Sequence, residues 1–270
     1  RSVFALSLLI LLLLSCQNET TQEMKIEIDY PEVFRDSAIV EDYHGTAVAD
    51  PYRWLEDDNS EETKAWVTAQ NETTFSYLDH IPFRSKVRDR LEDLWDYEKY
   101  GSPFKEAGVY YYFKNDGLQN QSVLYKIGND GTDEVIIDSN KFSEDGTSSL
   151  AGLAFSKNGK YLAYFVSEGG SDWRTAKVLD LGTMQLLDDE LKWIKFSGIS
   201  WDGDGFFYSR YPASADGDEL SAKNEYHSLY YHQLGASQAD DELIYRNDDH
   251  PLRNVYGQTT EDESFLIISE

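Results

Sequence analysis

The chain has 270 residues, with 24 Lys+Arg against 50 Asp+Glu and a formal net charge of −26. It is 14% aromatic and 40% hydrophobic, too rich in core-forming side chains for a disordered polyampholyte and long enough for one large or two ordinary domains. So acidic a surface repels phosphate, which excludes nucleic acid and direct docking on anionic headgroups, and the single Cys, Cys16, closes no internal disulfide.

Phe4 to Leu14 is an apolar run broken only by Ser7. At 11 residues it is about half the length needed to span a bilayer and fits the core of a signal peptide. It runs into Leu13-Leu14-Ser15-Cys16 and then into polar Gln17-Asn18-Glu19-Thr20, which resembles the lipobox of bacterial lipoproteins. Residues 1–16 are therefore expected to be a lipoprotein signal with Cys16 as the lipidated residue, and 17–29 a polar tether. The only membrane attachment expected is this anchor, on the periplasmic side of a bacterial envelope membrane; the alternative is a plain signal peptide with an incidental Cys and a soluble periplasmic protein. At the other end, Ser264 to Glu270 reads as a strand that stops in mid-pattern, as in a fragment.

Helical composition follows the tether. Asn59 to Glu62 has capping-box spacing, and Trp66, Ala69, Thr73 and Tyr77 repeat at helical intervals up to His80-Ile81-Pro82. A second helix is predicted from Arg84 to Trp95, with Val87, Leu91, Leu94 and Trp95 on one face. After residue 100 the period becomes two, in Val109–Phe113, Ser122–Ile127 and Val135–Ile137. Leu153–Tyr164 is echoed by Ile199–Tyr208, and more weakly by Thr260–Ile268 and Glu106–Tyr112. Anchored on Gly108, Gly159, Gly205 and Glu263, the echoes are 51, 46 and 58 residues apart. A strand, a tight turn and another strand recurring near 50 residues predict a β-propeller of four-stranded blades. Residues 101–270 hold three blades and part of a fourth, so the rest of the ring is expected beyond Glu270.

Few residues suggest chemistry directly. Gly169-Gly170-Ser171-Asp172-Trp173 lacks the second Gly of a nucleophile elbow and reads as a loop. His227 and His232, five apart in a strand pattern, are expected to point to opposite faces. Asp202-Gly203-Asp204-Gly205 and Asp216-Gly217-Asp218-Glu219 lack the distal Glu of a calcium loop and read as turns. Glu56-Asp57-Asp58 and Asp240-Asp241-Glu242 read as exposed acidic faces. Nothing in the pattern calls for a metal or another cofactor, and no mechanism emerges from spacing alone.

Glu41-Asp-Tyr-His-Gly-Thr-Ala-Val-Ala-Asp-Pro-Tyr-Arg-Trp-Leu-Glu56, Ser60–Asn71, Gly117-Leu-Gln-Asn-Gln-Ser-Val-Leu-Tyr125, Gly170-Ser-Asp-Trp173 and Leu229-Tyr-Tyr-His-Gln-Leu-Gly235 together resemble the N-terminal part of the prolyl oligopeptidase family. The resemblance runs from about Tyr30 to the last residue. It implies an α/β-hydrolase domain whose helical N-terminal segment is residues 30–100, interrupted by a seven-bladed propeller. It implies a serine peptidase that cuts short peptides after proline, with a Ser-Asp-His triad in a C-terminal hydrolase domain that packs on residues 30–100. The triad then lies beyond Glu270, no residue here is catalytic, and this piece alone is expected to be inactive. The family's Lys-Phe-Ser segment is Lys195-Phe196-Ser197, which nominates Phe196 as a wall of the subsite for the third residue before the cut. The competing expectation is a non-catalytic propeller lipoprotein that binds peptides.

Overall fold

Alternation of large apolar residues with turn-forming Gly, Asn and Asp builds antiparallel hairpins along most of the chain. The computed structural model describes residues 28–128, 131–214 and 222–270, so Cys16 and its lipobox and the Asp216–Glu219 run lie outside the described residues. Among those described are seventeen strands and two α-helices, and no sheet closes on itself. The chain separates into two compact units, one through Arg84 and one from Ser85.

In the first unit, β1 (Val40–Tyr43) and β2 (Thr46–Ala49) form a hairpin. Arg53 explains the Asp-Pro-Tyr-Arg-Trp motif locally, because it pairs with Asp50 at 2.6 Å and with Glu41 of β1 at 2.7 Å. Helix α1 spans Glu61–Asp79. Its cap is Ser60, one residue after the predicted Asn59, and the Ser60 Oγ accepts the Thr63 N–H at 3.1 Å. Asn59 is taken up in the preceding turn, where its own N–H donates to Asp57. Helix α2, Arg84–Trp95, opens the second unit and has the predicted limits. The apolar face expected for it is uncovered, with Val87, Leu91, Leu94 and Trp95 about half exposed or more.

After α2 the second unit is a series of sheets. The first contains β3 (Lys99–Tyr100), β4 (Phe104–Glu106), β5 (Val109–Asn115), β6 (Val123–Ile127) and β7 (Asp133–Ile137), with β3 and β4 both paired to β5. The second is a meander of β8 (Ser149–Phe155), β9 (Tyr161–Ser167), β10 (Arg174–Asp180) and β11 (Gln185–Ile194). The third repeats it with β12 (Ile199–Asp202), β13 (Gly205–Arg210), β14 (Ser228–Gln233) and β15 (Glu242–Tyr245). The hairpin of β16 (Tyr256–Thr259) and β17 (Leu266–Ser269) follows. Residues of β4, β8, β12 and β16 line one cleft of about 840 Å³, so corresponding strands of successive sheets face a common space. The Gly117–Gln121 motif is a loop tied down by Asn115 and Asn140, through Asn115 Nδ2 to the Gln119 carbonyl and Gln121 N–H to Asn140.

The internal repeat is a repeat of turns. The first hairpin of each sheet turns through a left-handed residue: Gly108, Gly159, Gly203 and Glu263, with φ of 86°, 69°, 60° and 57°, joined in the first sheet by Ala107 at 46°. Gly203 thus takes the place predicted for Gly205. The latter begins β13, where a Cβ would lie 2.5 Å from the His232 carbonyl oxygen and against the Tyr231 phenol. Gly205 is there for close approach of neighbouring strands, not for its φ.

The sheets pack face on face. Leu162, Tyr164 and Val166 of β9 join Tyr111, Leu124 and Ile137 in one core. Ala163 and Phe165, on the opposite face of β9, join Val178, Leu191, Trp201, Phe206 and Tyr208 in the next. Phe207, Leu229 and Val255 make a third, smaller core toward β16 and β17. Gly205→Ala is expected to destabilise the unit by about 1–3 kcal/mol, the range for overpacking a filled interior. A denaturation midpoint unchanged by the substitution would show that β13 and β14 can separate to admit a methyl group.

Candidate functional site

Strands buried on both faces leave their ends and loops to meet a ligand. The corner joining β11 to β12, Lys195-Phe196-Ser197-Gly198, has an unusual backbone. Phe196 has φ +54°, a region that bulky residues rarely adopt, and Trp193 at the end of β11 and Tyr226 just before His227 have φ of +62°. The Phe196 side chain is 47% exposed. The ammonium of Lys195 lies 5.0 Å from the Trp173 ring centre and 5.5 Å from that of Phe196, with Asp172 at 3.9 Å. Trp173 meets Trp193 and Tyr211 edge-on, at 5.8 and 6.0 Å. Next to them a pocket of about 350 Å³ is lined by Ser171, Trp173, Arg174, Thr175, Lys192 and Trp193, among others. The corner therefore offers aromatic faces and a cation, suited to stacking on side chains and to binding carbonyl or carboxylate oxygens.

Side-chain hydrogen bonds hold this backbone. The Ser197 Oγ accepts the Ser209 N–H at 2.8 Å and donates to the Gly198 carbonyl. The Tyr211 N–H donates to the Trp193 carbonyl at 3.0 Å. His227 is 1% exposed and spans two segments, its Nε2 donating to the Lys195 carbonyl at 3.0 Å and its Nδ1 accepting the Val255 N–H at 2.9 Å. Burial pushes its pKa below the usual value, and the Val255 N–H aimed at Nδ1 requires the neutral ring.

His232 lies on the opposite side of the third sheet, as strand alternation predicts, and meets an opposite environment. Its Nδ1 donates to Asp241 at 2.6 Å and its Nε2 to Asp189 at 2.9 Å, with all three side chains at most 1% exposed. Burial disfavours its charge, but the carboxylates of Asp241 and Asp189 outweigh it and hold the pKa above the usual value. The Tyr208 hydroxyl donates to Asp241 at 2.6 Å and the Gly235 N–H to Asp189 at 2.6 Å, so this ion cluster ties β11, β13 and β14 together. Asp241 corrects the reading of Asp240-Asp241-Glu242 as an exposed face, since its neighbours face water and it does not. Sequence reasoning also missed Asp189. Its signal is Leu187-Asp188-Asp189-Glu190-Leu191, where period two places Asp189 on the same face as Leu191.

Ser171 serves its own turn, with its Oγ accepting the Trp173 N–H. Asp202-Gly203-Asp204-Gly205 forms the β12–β13 turn. No group of three or more His, Cys, Asp and Glu with metal-holding geometry occurs among the described residues.

The family model for the prolyl oligopeptidase N-terminal beta-propeller domain matches residues 31–270. The prolyl endopeptidases of Elizabethkingia miricola and Elizabethkingia meningoseptica are each 49% identical over 243 residues, which is 90% of this chain and 34% of theirs. Among solved structures, prolyl oligopeptidase B from Galerina marginata, bound to a 35mer hydrolysis and macrocyclization substrate, superposes with a TM-score of 0.74 at 33% identity. That match covers 89% of this chain and 37% of the other. The chain thus spans about a third of the length of the relatives it matches.

The two histidines set opposite pH dependences. His227 has a lowered native pKa, so its contribution is fully present above about pH 6.5 and is lost as pH falls from there toward the native pKa. His232 has a raised native pKa, so its contribution is fully present below about pH 6.5 and is lost as pH rises through the native pKa. His232→Gln is expected to cost about 3 kcal/mol by leaving two buried carboxylates without their cation. It should also flatten the alkaline limb of a plot of melting temperature against pH, whereas His227→Gln flattens the acidic limb. Melts of both variants from about pH 4 to 9 check the signs, and an exchange of the two limbs contradicts the assignment.

Proposed function

The chain belongs to the prolyl oligopeptidase family, and from that premise we propose that it is the N-terminal part of a serine endopeptidase that cuts short peptides on the C-terminal side of proline. The observation that carries this reading is the family match across residues 31–270, which includes the strained, aromatic corner around Phe196. The triad and the oxyanion hole are assigned to sequence following Glu270, and this piece alone is inactive. The uncovered face of α2 supports a further assignment. Residues 30–100 are the first segment of an α/β-hydrolase domain, and the rest of that domain covers Val87, Leu91, Leu94 and Trp95. The sheets from β3 onward begin a seven-bladed propeller that admits short peptides and excludes folded proteins. A reading frame continuing into Gly-x-Ser-x-Gly, then Asp, then His supports the enzyme; one that ends after the last blade favours the peptide-binding lipoprotein.

Phe196 forms one wall of the subsite for the third residue before the cut. In the full-length enzyme, Phe196→Ala is expected to weaken kcat/KM for peptides with a bulky third residue by about 0.5–2 kcal/mol and to leave peptides with Gly there nearly unchanged. Equal losses on both would place Phe196 in the scaffold rather than the subsite.

We assign Cys16 as the acylated N-terminus of the mature protein, held at the periplasmic side of an envelope membrane. Expressed with its complete signal in a diderm bacterium, the protein should fractionate with membranes and incorporate labelled palmitate, and Cys16→Ser should abolish the label. Label persisting in Cys16→Ser would refute the anchor.

A further inference from the structure

Phe196 holds a left-handed backbone, which is strained for a non-glycine residue and persists only where its surroundings enforce it. The peptide unit immediately before it carries the Lys195 carbonyl, and the side chain bonded to that oxygen is His227. The same ring accepts the Val255 N–H, a residue 0% exposed at the entrance to β16. His227 therefore joins the Phe196 corner to the next sheet through one rigid imidazole. Tyr211 and Tyr256 pack on the ring at 4.8 and 5.8 Å between centres and keep it from turning. Tyr211 is itself fastened to the same corner through the Trp193 carbonyl, and its hydroxyl donates to Asn254.

We propose that His227 is a positioning residue for the peptide subsite: in its neutral Nε2–H form it fixes the Lys195 carbonyl and so holds the Phe196 ring where a bulky third residue meets it. This deepens the subsite reading given above and rests on it. His227 touches no substrate; it acts through the backbone of Lys195. The chemistry also makes the device sensitive to acid. A protonated ring carries N–H on both nitrogens, and its Nδ1–H would then oppose the Val255 N–H, donor against donor. The groups facing the ring are the phenols of Tyr211 and Tyr256. The contacted segments contribute the Lys195 ammonium, paired with Asp172, and Arg253, paired with Glu270. Burial holds His227 neutral to below the usual histidine range, so the subsite keeps its shape at neutral pH and loosens in acid.

The test uses the full-length enzyme and two chromogenic substrates, Phe-Gly-Pro and Gly-Gly-Pro, which differ only in the third residue before the cut. The readout is the ratio of their kcat/KM values, in which the titration of the catalytic residues cancels. His227→Leu should lower the ratio roughly 3- to 10-fold through the Phe substrate while leaving the Gly substrate unchanged, the scale of one lost hydrogen bond. His227→Gln, which offers both a donor and an acceptor without titrating, should restore the ratio and abolish the fall that the wild type shows in acid. Should His227→Leu fail to fold, the pH profile of His227→Gln decides. A flat profile supports the proposal, and a profile that titrates like the wild type overturns it. A wild-type ratio in His227→Leu, or equal losses on both substrates in both variants, also overturns it. Phe196→Ala separates the two levels. If it lowers the ratio and His227→Leu does not, only the positioning role fails; if it leaves the ratio unchanged, the subsite reading fails and takes this proposal with it.

Discussion

Burial of β9 and β13 on both faces is the constraint from which the rest of the second unit follows. Leu162, Tyr164 and Val166 point to one neighbouring sheet while Ala163 and Phe165 point to the other, and Phe206 and Phe207 divide in the same way. A strand in that position has no solvated face, so every polar group in the seams between sheets needs an internal partner. The Trp201 Nε1 reaches the Ala154 carbonyl, the Ser209 hydroxyl reaches the Val255 carbonyl, and Thr259 bonds both Ser200 and the Trp201 carbonyl. Each bond crosses from one sheet to the next, so apolar packing and polar satisfaction select the same arrangement.

Local features of this fold were legible in the sequence because their causes are local. Left-handed turns need Gly or an equivalent within a few residues, and the recurrence of Gly108, Gly159 and the 203–205 turn gave the period of the sheets. The limits of α2 followed from composition, while the cap of α1 slipped by one because Asn59 and Ser60 are both good caps and Asp57 claims the first. The buried ion cluster was not legible. Asp189 stands 43 residues from His232, and Tyr208 stands 33 from Asp241. Only the assembled sheets bring them together, and an acidic run looks the same in sequence whether or not its middle member is buried. Phe196 was found through resemblance alone, since nothing in Lys-Phe-Ser announces a left-handed phenylalanine.

Strain and exposure coincide at that corner. Trp193, Phe196 and Tyr226 are all left-handed, and none is a residue that relieves the cost of that conformation. The chain holds them with bonds made by neighbours distant in sequence: Ser209 to Ser197, Tyr211 to Trp193, His227 to Lys195, and the Tyr226 N–H to the Pro251 carbonyl at 2.7 Å. A scaffold needing only a turn between β11 and β12 could place Gly at each position. Aromatic side chains at two consecutive kinks of β11 and its exit loop instead hold rings in fixed directions, with that of Phe196 open to solvent.

The two histidines show how one strand can carry opposite electrostatic demands. A net charge of −26 creates a field that favours any cation, and His232 exploits it at short range through Asp189 and Asp241. His227, five residues earlier, must resist the same field. It does so because a tyrosine packs on it from each of two segments and because its remaining lone pair is already taken by the Val255 N–H. Charging His227 would forfeit that bond, and discharging His232 would leave two buried carboxylates facing each other. Both seams are therefore satisfied together only between the lowered pKa of one ring and the raised pKa of the other, a window whose limits lie on either side of the ordinary histidine value. Within it, the face of the third sheet toward β11 is held by an ion cluster and the face toward β16 by a neutral bridge. The Phe196 corner, anchored to the neutral one, is the more sensitive of the two to acid.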